Sequence, residues 1–405
     1  MPSMNLHATD PRSSNLTKTL YRNGPSFMPV KHLILDAGPH HRRNTLVCLD
    51  VGGPDICGVL SRADSGKHLS GQVIDGTLYF VLDELAAGEQ CKLVFEPGQE
   101  SDISGVKFDH DVAKGYVAMQ VAGEPLTTYH YDQVPFRPYL HPLVGPHGVH
   151  MTRAYPIVEN VEGETDDHLH HRSVWVAFGD VNGVDHWGET EDCGVQVHRK
   201  INKICDGPVL GIFEHELQWQ GQDHKPSLSE TRRISVCNTP QDARQLDLQV
   251  ILLAGDKPVV FGDTKEGGIC SVRVATTMDG KTGGKIENSV GGVGEDETWG
   301  KPAHWCDYSG VCQGKDVGIA IFDHPLNLRH PTPWHVRNYG LMAANPFGHS
   351  HYQSSLLKDG SYTIEAGQTL AFNYRLLLHE GDVAQGNVAN RFHDYVHPPN
   401  IQLSG

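Results

Sequence analysis

The chain has 405 residues, of which 33 are Lys or Arg and 49 are Asp or Glu, so its formal net charge is −16 with histidine neutral. A chain this acidic lacks the positive charge with which proteins neutralise nucleic-acid phosphates, and an anionic membrane surface would repel it. The length is sufficient for a large hydrophobic core without disulfides or structural metals. We therefore expect neither a nucleic-acid partner nor a membrane partner.

The cysteine pattern and the absence of long apolar runs bear on localisation. The nine cysteines show no CxxC motif, and this pattern is atypical of disulfide frameworks and zinc ribbons. No window approaches the ~18 apolar residues of a membrane-spanning helix, and the first thirty residues lack the apolar centre of a signal peptide. The expected location is the cytoplasm.

In chain order, residues 1–29 are polar and rich in turn formers, which indicates an N-terminal arm. From residue 30, short alternating runs such as KHLILDAG and GQVIDGTLYFVLDEL, separated by Gly, Pro and Asp, predict a small β-sandwich domain over 30–110. The same pattern continues over 111–405 with too many strands for one immunoglobulin-sized sandwich, and without the repeats of a propeller. The predicted fold class is all-β, a large antiparallel β supersandwich with a small N-terminal β domain. The best helix candidate is 387–396, expected to pack across the back of a sheet.

Polar and aromatic residues crowd together in four segments that interrupt the strand pattern. These segments are 136–156, 166–189, 261–268 and 304–352. Strands of a sandwich can bring distant hairpins side by side, so we expect the four segments to meet at one cavity. A separation of His170 and His335 above roughly 15 Å would contradict a shared acid–base site.

The second segment contains the motif DDHLHHR, with three imidazoles within four residues. On an extended strand, His168 and His170 would share one face and His171 would point to the other, so only one of His170 and His171 would reach a cavity. Histidine is the natural general acid or base near neutral pH. His170 and His171 are therefore candidate catalytic residues.

The other segments supply partners for this chemistry. His335 is expected as the counterpart acid or base, and Asp307 as the carboxylate that orients an imidazole. Tryptophan rings suit the CH faces of a sugar, and arginine binds anionic or hydroxyl groups. The candidate substrate-binding residues are Arg137, Arg172, Asn182, Trp187, Glu266, Trp334, Arg337 and Asn345. The sequences GDVNG around Asn182 and KEGG around Glu266 are also typical of simple turns.

His168 and His170 are alternatively two ligands of a divalent metal, which is the only cofactor expected. On one strand face they would lie about 6–7 Å apart, so the remaining ligands would come from later in the chain, with His324, His330 and His335 as candidates. The sequence lacks HExxH, P-loop, GxGxxG and GxSxG motifs. The motifs that usually identify a metalloprotease, an NTPase, a Rossmann dehydrogenase or an α/β-hydrolase are therefore missing.

Five stretches resemble, in order, the motifs of the bacterial family labelled PmoA, or methane oxygenase PmoA. They are RPYLHPLVGPHGVHMTRAYP, DDHLHHRSVWVAFGDVNGVDHWGE, FGDTKEGGICSVRVA, WCDYSG and IFDHPLNLRHPTPWHVRNYGLMAANPFG. The resemblance covers about 130–380. The membrane methane monooxygenase subunit spans the bilayer several times, whereas this chain has no apolar span, so methane oxidation is not carried over.

The pattern is also similar, more distantly, to the β supersandwich of galactose mutarotases and related polysaccharide lyases. In that superfamily a concave sheet face holds His, Arg, acidic and aromatic residues around a sugar. The resemblance implies a sugar site, and the residues that fall on matching PmoA motif positions are His170, His171, Arg172, Asp307, His335 and Arg337.

The sequence thus predicts a cytoplasmic carbohydrate-active enzyme, lyase, hydrolase or mutarotase-like, whose partner is a sugar or oligosaccharide. Histidine-based acid–base chemistry would drive β-elimination, hydrolysis or mutarotation. A non-catalytic sugar-binding β-sandwich module and a metal-dependent oxygenase are the alternatives. Substitution of His170 would leave ligand affinity largely intact in the binding module, and metal analysis would identify the oxygenase.

Overall fold

The computed structural model describes residues 29–98, 104–352 and 358–404, so the predicted N-terminal arm lies outside the described residues except for Pro29. Strands account for 51% of the structure and helices for 6%. The predicted all-β class, with large antiparallel sheets, is confirmed. Among the described residues, no helix is long and apolar enough to cross a membrane.

A seven-stranded antiparallel sheet forms the N-terminal part of the fold. Its strands are β1 (Lys31–Asp36), β2 (Arg42–Asp50), β3 (Ile56–Arg62), β4 (His68–Ile74), β5 (Thr77–Leu85), β6 (Gln90–Pro97) and β25 (Asn400–Leu403). The strand order is β2-β5-β4-β3-β6-β1-β25. The C-terminal strand β25 therefore completes a sheet whose other strands come from the first hundred residues.

The second sheet, here called the front sheet, has eight antiparallel strands. They are β7 (Val106–Asp111), β8 (Tyr116–Val121), β9 (Glu124–His130), β10 (Tyr139–Leu143), β11 (Val174–Phe178), β17 (Gly267–Arg273), β21 (Trp334–Arg337) and β22 (Leu341–Ala344). The order is β21-β22-β17-β11-β10-β9-β8-β7. Strand β7 of this sheet includes residue 110, where the sequence predicts the end of the N-terminal domain.

The third sheet, the back sheet, also has eight antiparallel strands. They are β12 (Val195–Cys205), β13 (Leu210–Gln220), β14 (Pro226–Cys237), β15 (Ala243–Leu253), β18 (Lys285–Asn288), β19 (Trp305–Cys312), β20 (Lys315–Asp323) and β24 (Thr369–Glu380). The order is β12-β13-β14-β15-β24-β20-β19-β18, and a small separate sheet pairs β16 (Val259–Phe261) with β23 (Tyr362–Ile364).

The front and back sheets enclose the main core. Val174, Val176 and Phe178 of β11 point into this core, where they join residues of the back sheet such as Ile319 and Ile321. Because side chains alternate along a strand, the residues between them point away from the core, to the outer face of the front sheet. This outer face carries the candidate site.

The described residues contain two short α-helices, α1 (Gly294–Thr298) and α2 (Val388–Val396), and three single-turn 3-10 helices at Pro146–Gly148, Thr276–Met278 and His349–His351. The predicted helix near the C-terminus is α2, and its Val388 and Phe392 pack on the outer face of the back sheet. Asp394 of α2 accepts a hydrogen bond from Arg42 of the N-terminal sheet at 3.0 Å, with both side chains buried. Helix α2 thereby connects the N-terminal sheet to the sandwich.

Candidate functional site

The outer face of the front sheet carries a row of aromatic and polar side chains, because strand pairing aligns positions of the same face. Across the sheet the paired positions are Tyr139, Trp175, Ser271, Ala343 and His335. The small Ser271 and Ala343 leave room above the centre of the row. Trp187 from the following loop packs here, with its ring 5.4 Å from that of Trp175 and 6.3 Å from that of His335.

The DDHLHH segment forms a turn in front of β11. The backbone of His168 is left-handed, with φ of 47°, and the amide of His171 donates to the carbonyl of His168 at 2.9 Å. The prediction of an extended strand through these histidines is therefore wrong, because this tight turn reverses the chain. The rings of His168 and His171, expected on opposite faces, stack at 4.8 Å with 12° between their planes.

Four nearly parallel rings form a column from the sheet to the surface, here called the ring column. Trp175 lies at its base, His171 stacks on it at 5.1 Å, His168 follows at 4.8 Å, and Tyr339 stacks on His168 at 4.6 Å. Trp175 and His171 are buried, whereas the His168 side chain is 36% exposed. His168 is therefore the accessible imidazole of the column.

One side of this turn is held by two arginines that share a carboxylate. Oδ1 of Asp167 accepts hydrogen bonds from Arg153 at 2.5 Å and from Arg273 at 2.6 Å. Arg153 also donates to the carbonyl of His168 at 3.1 Å. Both arginines are buried, and together they fix Asp167 and the backbone of the turn.

On the other side of this turn, two more arginines share one carboxylate. The fully buried carboxylate of Glu189 accepts from Arg137 at 3.0 Å and from Arg172 at 2.8 and 2.6 Å. Arg137 also donates to the carbonyls of Trp187 and Gly188, both at 2.7 Å. Arg137 and Arg172, predicted to bind substrate, thus lie at the site but direct their guanidinium groups to the protein.

The buried imidazoles of the site are neutral at physiological pH. Desolvation, reinforced by the positive charge of Arg137, lowers the pKa of His170 to about 4. Desolvation, reinforced by Arg337 and Lys265, lowers the pKa of His335 to about 3. Neutral imidazoles can accept or donate hydrogen bonds, but they carry no charge to the site.

Asp167 and His168 form a carboxylate–imidazole pair in which Oδ2 lies 2.9 Å from Nδ1. Burial by itself raises the pKa of Asp167, but Arg273, His168 and Arg153 lower it to about 2, so the carboxylate is ionised. An ionised carboxylate only accepts hydrogen bonds, so Nδ1 is the donor and a neutral His168 carries its lone pair on Nε2. An imidazole oriented in this way is suited to general base catalysis.

The loop before β17 reaches the same region. Lys265 and Glu266 form an ion pair at 3.2 Å, and the positive charge of Lys265 contributes to the lowered pKa of His335. Asn345 is buried, and its side-chain amide donates to the carbonyls of Thr264 and Lys265 at 3.0 and 3.1 Å. Asn345 therefore positions this loop.

A cavity of about 310 Å³ lies at the edge of the site. It is lined by Glu295, Asp296, Trp299 and Arg337. Nε of Arg337 lies 3.0 Å from Oε1 of Glu295. The ring of Tyr339, the last member of the ring column, lies 5.7 Å from the Arg337 guanidinium. The column and the cavity are therefore neighbours.

Three predicted site residues lie elsewhere. Asp307 is fully buried on β19 of the back sheet, where it accepts a hydrogen bond from His379 at 2.7 Å. Trp334 points into the core, because alternation turns it away from the face of His335, and its Nε1 donates to the carbonyl of Ala303 at 2.9 Å. Asn182 lies in a turn that lines a separate cavity of about 410 Å³.

The four segments therefore converge only in part. His170 and His335 both contact the ring of Trp187, at centroid distances of 5.9 and 6.3 Å, which places them within the limit of about 15 Å. The residues around Asp307 do not join them, because they belong to the other sheet.

The expected metal ligands do not converge either. The rings of His168 and His170 lie 5.8 Å apart, and Nδ1 of His168 is engaged by Asp167. His330, expected as a later ligand, hydrogen-bonds to Asp323 at 2.7 Å. In the parts of the chain that the structure describes, no group of three or more His, Cys, Asp or Glu side chains could hold a metal ion. The metal hypothesis for these histidines therefore finds no support in the geometry.

Several residues of the site were not identified from the sequence. They are Arg153, Asp167, Glu189, Arg273, Glu295, Trp299 and Tyr339. Asp167 has a local signal, since it directly precedes His168 in the histidine motif. The others depend on contacts between distant positions, such as Asp167 and Arg273, which lie 106 positions apart in the chain.

Comparisons with known proteins give a family and a set of solved structures. No curated protein matches. A glycosyl hydrolase family 38 protein and an alpha-mannosidase, both from Enterococcus faecalis, match with 11% identity and TM-scores of 0.42 and 0.40. In each case 93% of this chain is covered, against 47% and 46% of those chains. The chain thus spans less than half the length of either structure.

A galactose mutarotase related enzyme from Lactobacillus acidophilus matches with 7% identity and a TM-score of 0.31, covering 68% of this chain and 98% of that one. None of these comparisons carries the PmoA name. A model of the family of unknown function DUF6807 matches residues 116–393, which is more than half of the chain. The chain belongs to this DUF6807 family.

Proposed function

We propose that the outer face of the front sheet around His168 is the active site of an enzyme that acts on a sugar or glycoside by acid–base chemistry. The observation that supports this most strongly is the Asp167–His168 pair. Two buried arginines hold the carboxylate, the carboxylate orients the imidazole through Nδ1, and the imidazole reaches the surface. His168 is therefore proposed as the general base, in place of the more buried His170 and His171.

The surroundings of His168 fit a sugar ring. Tyr339 is half-buried and stacks on His168, and Trp299 lines the neighbouring cavity. Such rings pack against the CH faces of sugars. The carboxylates of Glu295 and Asp296 in the same cavity are acceptors for sugar hydroxyl groups.

The proposed reaction begins when Nε2 of His168 takes a proton from the substrate or from a bound water. Burial raises the pKa of Tyr339 to about 12, although Arg337 and Arg273 act in the opposite direction, so its hydroxyl keeps its proton and serves as the donor. β-Elimination, hydrolysis and mutarotation each remove one proton and return one. The proposal therefore requires no oxidant or reductant.

This proposal is tested with the full chain and a panel of reducing sugars, aryl glycosides and oligosaccharides followed by ¹H NMR. The spectra distinguish anomeric exchange, glycosidic cleavage and unsaturated products. His168→Gln is expected to lower the rate about 100-fold or more, with an unchanged unfolding temperature. His41→Gln, which replaces an exposed imidazole paired with Glu84, is the matched control.

Equal rates for the wild type and His168→Gln would refute the role of His168. Sugar binding without any turnover by the wild type would instead favour the non-catalytic sugar-binding module.

A further inference from the structure

We infer that Tyr308 is a positioning residue for the proposed active site, because its hydroxyl group fixes the turn that carries Tyr339 over His168. The inference rests on the proposed function and extends it to a residue of the opposite sheet. Tyr308 lies on β19 of the back sheet and is 0% exposed. Since no substrate can reach its side chain, Tyr308 acts through Tyr339.

The side chain of Tyr308 points into the sandwich. Side chains alternate along a strand, and Tyr308 shares the inner face of β19 with Cys306, so both belong to the main core. The hydroxyl group of Tyr308 lies where two turns meet at the edge of this core. One turn is 280–283, and the other is 338–340, which joins β21 to β22 and contains Tyr339.

The Tyr308 hydroxyl joins these two turns. It accepts a hydrogen bond from the backbone amide of Gly280 at 2.8 Å. The same hydroxyl lies 3.2 Å from the carbonyl oxygen of Arg337 and 3.1 Å from that of Asn338, and it donates its single proton to one or the other. Burial raises the pKa of Tyr308, so the hydroxyl keeps this proton and remains a donor.

The two turns approach each other closely at Gly280. A Cβ atom on Gly280 would lie 2.8 Å from Oδ1 and 3.3 Å from the carbonyl oxygen of Asn338. A branched side chain at this position would therefore push the turns apart. Glu295 of α1 accepts the backbone amide of Asn338 at 2.6 Å. The turn 338–340 is thus held through its amide by Glu295 and through its carbonyl by Tyr308.

This turn determines where the ring of Tyr339 lies. Tyr339 directly follows Asn338, and its ring stacks on that of His168 at 4.6 Å with 16° between the planes. In the proposed reaction Tyr339 is the proton donor and His168 is the general base. A shift of the turn would therefore move the donor relative to the base, and a displacement of about 1 Å can lower a rate about 100-fold.

The test compares Tyr308→Phe with Tyr374→Phe in the full chain. Tyr374 is a matched control on β24 of the same sheet, because it is 1% exposed and its hydroxyl has no hydrogen-bond partner among the described residues. On a substrate that the wild type converts, we expect Tyr308→Phe to lower kcat about 10-fold or more and to change KM less than about threefold. Tyr374→Phe is expected to keep the wild-type kcat. Each variant keeps its ring in the core, so the unfolding temperature should fall by a few degrees at most.

The position of the Tyr339 ring can be measured without activity, from the NMR signals of the His168 ring protons. The stacked Tyr339 ring shifts these signals, and Tyr339→Leu shows where they lie without it. In Tyr308→Phe the signals are expected to move toward those positions, and in Tyr374→Phe they should stay. Gly280→Val separates the two turns while Tyr308 stays intact, and it should lower kcat and move the signals in the same way. This variant decides the question if Tyr308→Phe does not fold.

The outcomes separate the inference from the proposed function. Unchanged kcat in Tyr308→Phe, with or without moved His168 signals, would overturn the inference and leave the proposed function standing. A loss of activity with unmoved signals, or an equal loss in Tyr374→Phe, would overturn the positioning role of Tyr308. Absence of turnover by the wild type would remove the proposed function, and the inference would fall with it.

Discussion

Nη1 of Arg273 lies 3.0 Å from Nδ1 of His171. A guanidinium group has only donors, so Nδ1 of His171 accepts this hydrogen bond and the ring proton lies on Nε2. Desolvation, with the neighbouring His170 and Arg273, holds the pKa of His171 well below its usual range. We therefore expect His171 to support the ring column as a neutral imidazole of fixed tautomer.

The tautomer of His171 can be observed by NMR of protein labelled with ¹⁵N-histidine. His171 is expected to keep the neutral Nε2–H pattern between pH 5 and pH 8, and its signals are identified by their loss in His171→Gln. A change of tautomer or a titration within this range would contradict the assignment.

The carboxylate of Glu189 is expected to be the most important single charge for stability at the site. Glu189→Gln leaves Arg137 and Arg172 without a counter-charge, and the side chain is fully buried. The expected loss is about 3–5 kcal/mol of unfolding free energy, measured by urea denaturation. Glu191→Gln changes an exposed carboxylate two residues away and should cost less than about 0.5 kcal/mol. Equal losses in the two variants would refute this explanation.

Asp167→Asn is expected to lower the unfolding free energy less than Glu189→Gln does. Asp167 also joins two buried arginines, but its own side chain is 39% exposed, so water compensates part of the lost interaction. We expect a loss of about 1–3 kcal/mol, between the ranges for exposed and buried pairs. The adjacent Asp166→Asn is the control. If Asp167→Asn lost more unfolding free energy than Glu189→Gln, side-chain exposure would not explain the relative size of the two losses.

The fold was predictable because period-two alternation is a local property of the sequence. The participation of β25 in the N-terminal sheet was not, because its pairing partner β1 lies more than 360 residues away along the chain. Eight strands in each large sheet also allow many orders, and the position of a strand within them is not encoded locally. For this reason the sequence alone does not separate Asp307 from the histidines.

The histidine motif identified the right part of the chain with the wrong geometry. A left-handed backbone is uncommon for a residue other than glycine, so nothing in the sequence indicated the turn at His168. Trp334, by contrast, can be excluded from the site by its sequence position alone. The alternation that places His335 and Arg337 on the outer face necessarily turns Trp334 to the other side.

The buried imidazoles make the stability of the protein depend on pH. Burial is the main cause that lowers the pKa of several imidazoles: those of His141, His170 and His186 to about 4, and that of His335 to about 3. In the unfolded chain a histidine has a pKa near 6.5. Between about pH 6.5 and pH 4 the unfolded state therefore binds more protons than the folded state. Stability is complete above this range and falls as the pH decreases, by up to about 1.4 kcal/mol per pH unit for each histidine.

The contribution of a single buried imidazole to this pH dependence can be measured at His186, which is not part of the proposed catalytic pair. It is 1% exposed, and neither ring nitrogen has a hydrogen-bond partner among the residues that the structure describes. His186→Leu is expected to reduce the slope of unfolding free energy against pH by about 0.7 of a proton on average between pH 5.5 and pH 6.5, in urea titrations at constant ionic strength. His32→Leu replaces an exposed imidazole on β1 and should keep the wild-type slope. A flat wild-type profile, or an unchanged slope in His186→Leu, would show that these imidazoles are not held neutral by burial.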